Sequence, residues 1–275
     1  MVKVVDLVVD SNHGPRRCRP LKTPLLHPLL IPASKPLLAF TIANEWETAH
    51  TIAEARSSFR MPLTQMSSRI IDIEHTKDDR EREGMVEEIR EHCLRYLETD
   101  TLLFLAPSGG VVSKAAGERT LRECQEEALT PVLEFLTTQV WPGVTIKAVD
   151  GNEGILPLSY KQPKETLETI KRWVEGLGLW DLLALERATV AGKSFLMGAR
   201  VVSGWSESGL MVGREGTVVQ RREVGVEEAA RAVSVEVVWQ TGQWGEVEDT
   251  HDVEKEDLRR QLGSAILLCT GVGLK

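Results

Sequence analysis

Arg19-Pro-Leu-Lys-Thr-Pro-Leu-Leu-His-Pro-Leu-Leu-Ile-Pro-Ala-Ser-Lys-Pro36 carries prolines at positions 20, 24, 28, 32 and 36. Proline has no backbone N–H and its ring clashes with the carbonyl four residues earlier, so no continuous helix crosses Arg19 to Ala33. Short strands and turns are what remain for this stretch. On its N-terminal side Val2, Val4, Val5, Leu7, Val8 and Val9 are strand formers, followed by the turn residues Ser11-Asn-His-Gly-Pro15. On its C-terminal side a helix is expected after Ser34 as N-cap, with Pro36 in the first turn and Leu38, Ile42, Glu45, Trp46 and Ala49 along it.

From Met61 onward the apolar period becomes helical. Leu63, Met66, Ile70 and Ile73 recur at three- and four-residue spacing, and Met85, Ile89, Cys93 and Leu97 repeat the pattern. A helix over Glu118 to Gln139 is expected to kink or split at Pro131, and one starting at Pro163 carries Leu167, Ile170, Trp173 and Val174 as far as Gly176. A long apolar helix is predicted from Leu179 to about Val202, then two final helices. The first carries Val226, Ala230, Val233 and Val237 on one stripe, the second Leu258, Leu262, Ala265 and Cys269. Thr101 to Ala106 and Val144 to Val149 read as short strands, candidates to join the N-terminal sheet, and 204–225 as a surface loop or small hairpin. The expected class is α+β: a small strand-rich N-terminal domain, 1–60, followed by a larger, mostly α-helical domain, 61–275.

With 33 Lys and Arg against 41 Asp and Glu, the 275-residue chain has net charge −8, which argues against general binding to nucleic acid. Charge is unevenly placed. Between Glu223 and Asp257 there are 11 acidic and 2 basic residues, whereas residues 1–40 carry six Lys or Arg and two Asp. The acidic run reads either as a solvated face or as a surface that meets a basic partner. Cys18, Cys93, Cys124 and Cys269 form no close pair, so a reduced compartment is expected. No apolar run is long enough to span a bilayer, and the start, with Asp6 and Asp10, is neither a secretory signal nor a transit peptide, so any organelle address is expected to have been removed.

Motifs for chemistry are absent or near misses. Ala191-Gly-Lys-Ser194 ends like a phosphate-binding loop, but Arg187 stands where the first glycine belongs. Gly204-Trp-Ser-Glu-Ser208 has serine in place of the last glycine of a nucleophile elbow. The histidines at 13, 27, 50, 75, 92 and 251 share no metal spacing, and Asp249 or Thr250 is expected to cap the last helix. The pairs Asp78-Asp79 and Glu87-Glu88 read as helix-surface neighbours. No catalytic residue, cofactor or metal is therefore expected. Trp46, Trp173, Trp180, Trp239 and Trp244 fall on predicted helices or their ends, where packing is the ordinary role and a docking surface the alternative.

Several segments together carry a resemblance. They are Arg19-Pro-Leu-Lys-Thr-Pro24, Glu45-Trp46, Met61-Pro-Leu-Thr64 with Ile71-Asp72, Thr99-Asp-Thr-Leu-Leu103, Gln125 through Pro131, and Glu236-Val-Val-Trp-Gln240 leading into Trp244-Gly-Glu-Val-Glu-Asp249. In this order the chain resembles the ATP synthase assembly factor 2 family, chaperones of the ATP synthase alpha subunit. The resemblance implies a strand-rich part joined to a helical one, and a non-enzymatic, monomeric protein of the mitochondrial matrix. It further implies transient binding of the free alpha subunit, without membrane insertion, until beta subunits arrive. It places a functional acidic position on or beside Glu236, although Val237 stands where relatives tend to carry a second acid.

Glu236, Gln240 and Trp244 repeat at four-residue spacing and can share one helix face; with Trp239 and Glu246 they are the expected partner-binding residues. The competing role for Glu236 is a buried carboxylate pairing with Arg187 or Arg231. Two other functions stay open. A carboxylate-based hydrolase would show acids converging in a pocket, and a permanent structural subunit would remain in the finished complex.

Overall fold

The proline-rich stretch forms paired strands and a tight turn. In the computed structural model residues 4–6, 8–9, 19–113, 117, 119–153, 160–211, 223–245 and 248–272 are described; the predicted turn at Ser11 to Pro15 and most of the predicted 204–225 loop lie outside them. Strands β1 (Val4–Asp6) and β2 (Val8–Val9) are followed by β3 (Arg19–Pro20) and β4 (Leu30–Pro32). β1 runs antiparallel to β4 with Val5 opposite Ile31, and β2 antiparallel to β3 with Val8 opposite Pro20. Between β3 and β4 the chain reverses at Thr23 to His27, with Leu26 at φ +68°. Proline suits these two- and three-residue edge pairings, which need few donors.

Helix α1 (Pro36–Thr48) buries Leu38, Ala39 and Ile42, and its N-cap is Lys35, one residue later than expected. After the single turn of α2 (Ile52–Ala55), α3 (Pro62–Glu74) buries Leu63, Ile70, Ile71 and Ile73, and α4 (Asp79–Glu98) buries Val86, Ile89, Cys93 and Leu97. Thr101 to Ala106 is not one strand: Thr101–Leu103 is a 3-10 turn started by Asp100, and only β5 (Phe104–Leu105) is extended. Strands β6 (Val112–Ser113) and β7 (Arg119–Thr120) form a small antiparallel pair leading into α5 (Leu121–Phe135). That helix opens on a capping box between Thr120 and Glu123, later than the predicted start at Glu118, which is outside the described residues. Pro131 does not split it; the helix continues and widens into a π turn at Leu136–Val140.

From the predicted second strand only β8 (Val149–Asp150) has a ladder partner, and that partner is β5, in parallel, not the N-terminal sheet. Gly151 makes the approach possible. A Cβ there would lie 2.5 Å from the Leu105 carbonyl oxygen and 2.6 Å from the Pro107 nitrogen, closer than any side chain tolerates.

Helix α6 (Lys164–Glu175) runs from Pro163 to a Gly176 cap. The long helix predicted from Leu179 is two helices, α7 (Leu179–Gly192) and α8 (Phe195–Trp205). Both flanks of the break are apolar, so hydrophobic pattern alone does not reveal it. Lys193 takes a left-handed conformation, φ +50°, and Ser194 restarts the chain by accepting a hydrogen bond from the Met197 N–H at 3.0 Å. The near miss at Ala191 to Ser194 is thus a helix corner. At the C-terminal end three helices replace the two expected: α9 (Val226–Val233), α10 (Val235–Trp244) and α11 (Glu248–Cys269). The break at Ser234 takes Val237 off the predicted stripe and leaves it exposed. α11 begins before Asp249, so Asp249 and Thr250 lie inside its first turn instead of capping it.

α7 lies at the centre, against α4, α8 and α11, and Leu182, Leu183, Leu185 and Ala188 are buried along it. One apolar cluster extends from Leu29 and Ile31 to Leu268 and Cys269. Trp141 is buried in it, stacked on Phe195 with ring centroids 6.1 Å apart and met edge-on by Trp173. The start of α1 and the C-terminal end of α11 meet at Lys35, whose buried ammonium lies 2.7 Å from a Glu207 oxygen and donates to the carbonyls of Cys269 and Thr270. Among the described residues no helix is long and apolar enough to cross a membrane.

Candidate functional site

The segments that carry the family resemblance divide by direction. Glu45, on α1, reaches the start of α3, where the cap residue Met61 offers no side-chain acceptor. Its carboxylate accepts from the N–H of Leu63 at 2.8 Å, the N–H of Thr64 at 2.9 Å and the Thr64 hydroxyl at 2.7 Å. Burial raises this carboxyl above its ordinary range, while those donors hold it down. Asp72 accepts a hydrogen bond from the Thr23 hydroxyl and so fastens the turn between β3 and β4 onto α3.

Asp100 is fully buried and joins two elements: one oxygen accepts from the Leu102 N–H at 3.0 Å, the other from the Leu196 N–H at 2.8 Å at the head of α8. Burial pushes its carboxyl up to about 6 against the pull of these amides. Gln125 accepts from the Ala106 N–H at 2.7 Å and donates to the Phe104 carbonyl at 3.1 Å, holding β5. These side chains satisfy backbone groups that no helix or sheet ladder reaches.

α10 is different. It packs on α5, α9 and β6, yet none of its residues is buried. Glu236 is exposed and accepts from the Gln240 amide one turn on, at 3.0 Å. The buried-carboxylate alternative is therefore corrected, because the break at Ser234 leaves this turn in solvent; Arg187 instead feels Arg260, Asp257 and Glu186. Trp244 is 77 % exposed and meets the half-buried Trp239 edge-on with centroids 6.2 Å apart. The Trp239 indole N–H is buried without a hydrogen-bond partner among the described residues. Val237 and Val238 are exposed beside Glu236, and the Gln243 amide reaches the Val112 carbonyl at 3.5 Å, next to the exposed Val111. Glu246 lies outside the described residues.

A cleft of about 460 Å³ opens beside the first turn of α10, bounded by the Ala191 to Lys193 corner, by α5 and by α11. Glu236 lines it with Glu254, Asp257, Lys193 and Lys255. Sequence periodicity gave no sign of this cleft, because its walls come from five separate stretches. The exposed Val111 and Val112, before and in β6, were missed as well; the only local signal is their place between Gly110 and a Ser-Lys pair. Among the described residues no group of three or more His, Cys, Asp or Glu is placed to hold a metal ion.

Comparison with known proteins places this architecture in a class. It matches the crystal structure of Atp12 from Paracoccus denitrificans with a TM-score of 0.64, at 19% identity, covering 97% of this chain and 94% of that one, so the fold is shared. Residues 18–137 match the family described as ATP12 chaperone protein. The chain is 30% identical over 250 residues to the mitochondrial protein atp12 of Schizosaccharomyces pombe, covering 91% of this chain and 74% of that protein. It is 28% identical over 262 residues to the mitochondrial protein ATP12 of Saccharomyces cerevisiae, covering 90% and 75%. The class is that of chaperones. The chain belongs to the ATP12 chaperone family, which is the resemblance its motifs carry.

Proposed function

We propose that this protein is an assembly chaperone of the mitochondrial ATP synthase: it binds the free alpha subunit through the outward face of α10, keeps it from aggregating, and gives it up to beta subunits. One observation carries this reading. Glu45, Asp72, Asp100 and Gln125 are bonded to the protein's own backbone, while in the last motif Glu236 and Trp244 are exposed, Gln240 is half-buried between them, and their contacts are with one another and with Trp239 on the same helix. An unassembled ring subunit exposes apolar interface, and such patches aggregate once they exceed a few hundred Å². A cover for one needs an aromatic anchor, apolar neighbours and a polar rim, here Trp244 with Val237 and Val238 beside Glu236 and Gln240. The protein works in the matrix as a monomer, is absent from the finished enzyme, and uses no cofactor.

The test is light scattering by purified alpha subunit diluted from denaturant, with no nucleotide supplied. An equimolar amount of this protein is expected to suppress the scattering, and the two are expected to elute together on size exclusion. Scattering unchanged at full stoichiometry overturns the proposal.

A further inference from the structure

A buried ammonium gathers distant stretches of the chain. Lys35, at the head of α1 and 2% exposed, places its Nζ 2.7 Å from a Glu207 oxygen and donates to the carbonyls of Cys269 at 3.2 Å and Thr270 at 3.3 Å. Glu207 belongs to Gly204-Trp-Ser-Glu-Ser208, the near miss to a nucleophile elbow, and the serines on either side of it have another task. Their hydroxyls donate to Asp181, buried in the first turn of α7, and so hold Glu207 toward Lys35. The segment after α11 closes over this group. The Val272 N–H donates to the Ser34 carbonyl at 2.6 Å, and the Glu207 N–H to the Cys269 carbonyl at 3.2 Å. Gly271 has no room for a side chain, because a Cβ there would fall on the Glu207 carboxylate and lie 2.9 Å from the Glu207 Cβ. A buried ion pair roughly breaks even against the cost of leaving water, so this one fixes the geometry of the segment more than it stabilises it. The Glu207 side chain keeps 24% of its surface in solvent, which gives water a way in.

We propose that Lys35, Glu207 and Asp181 form a latch that fastens residues 269–272 as a strap across the head of α1, and that the strap opens as a unit while the helical core stays folded. Asp181 is a positioning residue that acts through Ser206 and Ser208. The strap continues α11, which packs on both α1 and α9, so the latch ties the strand-rich start of the chain to the helix that supports the α9 and α10 end. When the strap opens, Lys35 reaches water and its charge needs no partner. Loss of the pair is then felt locally, whereas a pair sealed in the core would spread its loss over the whole fold.

The experiment is native-state amide hydrogen exchange with thermal melting, on the parent protein, Glu207→Gln, Gly271→Ala, Asp181→Asn, and Glu207→Gln combined with Asp181→Asn. The Val272 amide, bonded to Ser34, reports the strap, and the amides of Leu183 to Leu185 in α7 report the core. Glu207→Gln removes the charge of the partner; Gly271→Ala keeps every charge and displaces the carboxylate instead. Each is expected to speed exchange at Val272 by about tenfold or more, to leave α7 at parental rates, and to keep Tm within about 2 °C of the parent. Asp181→Asn is expected to speed Val272 by itself and to add nothing to Glu207→Gln. Unchanged exchange at Val272 in both Glu207→Gln and Gly271→Ala overturns the latch. Exchange that speeds up equally in α7 and at Val272, with a fall in Tm, also overturns it, since the pair then belongs to the global stability of the core. Additive effects of Asp181→Asn and Glu207→Gln overturn the positioning role of Asp181.

Discussion

Glu236→Lys is expected to abolish capture of the alpha subunit while the protein stays folded. The native-state cost is small. The substitution removes one exposed contact with Gln240, worth roughly 0.2–0.5 kcal/mol. It also puts a cation in the first turn of α10, where the helix dipole disfavours it by roughly 0.3–1 kcal/mol. Together these lower Tm by only about 2–4 °C for a chain of this size. The cost to the complex is larger, because Glu236 lies on the face proposed to be covered by the client, where a reversed charge would be buried without its partner. Reversing such a contact costs about 2–5 kcal/mol, a loss in affinity of roughly 30-fold to several thousand-fold. Thermal melting and size exclusion with the alpha subunit check both halves. A collapse of helical content, or capture at parental affinity, contradicts the expectation.

The second large effect is on stability. Asp100→Ala strips the buried acceptor that joins the 3-10 turn to the head of α8, leaving the N–H groups of Leu102 and Leu196 without their partner. Two buried donors left open cost about 3–5 kcal/mol together, enough to lower Tm by about 10 °C. The pH dependence carries its own sign. The carboxyl is raised from 3.8 to about 6 in the folded protein, so its contribution is complete below about pH 3.8 and is lost as pH rises through 6. A shift of this size corresponds to about 3 kcal/mol. Urea melts at pH 4 and pH 7 are therefore expected to show the advantage of the parent over Asp100→Asn shrinking by about 2 kcal/mol at the higher pH, most of the full effect. A difference that does not change with pH contradicts the account.

The prolines between 20 and 36 were legible because their effect is local: a missing donor and a fixed φ do not depend on what packs nearby. The stripes of α3 and α4 were legible for a similar reason, since each helix buries one face. The corner at Lys193 was not, because α7 and α8 are buried nearly all round and a lysine in left-handed conformation gives no glycine signal. Glu45 capping α3 across a gap of 18 residues to Leu63 has no local signature at all. At the site, spacing placed Glu236, Gln240 and Trp244 on one helix, but the stripe Val226, Ala230, Val233 and Val237 ran on through that turn. Only the break at Ser234 turned it outward. The cleft is a property of tertiary packing, and pairwise periodicity carries no information about it.

The central claim is that the outward face of α10 is the surface the client covers. Amide hydrogen exchange of the protein alone and in complex with the alpha subunit tests it most directly. The account predicts exchange slowed by about tenfold or more over residues 235–244 in the complex, with the exposed face of α1 around Leu37 and Phe40 unchanged. Protection confined to α1, with 235–244 exchanging as fast as in the free protein, would contradict it.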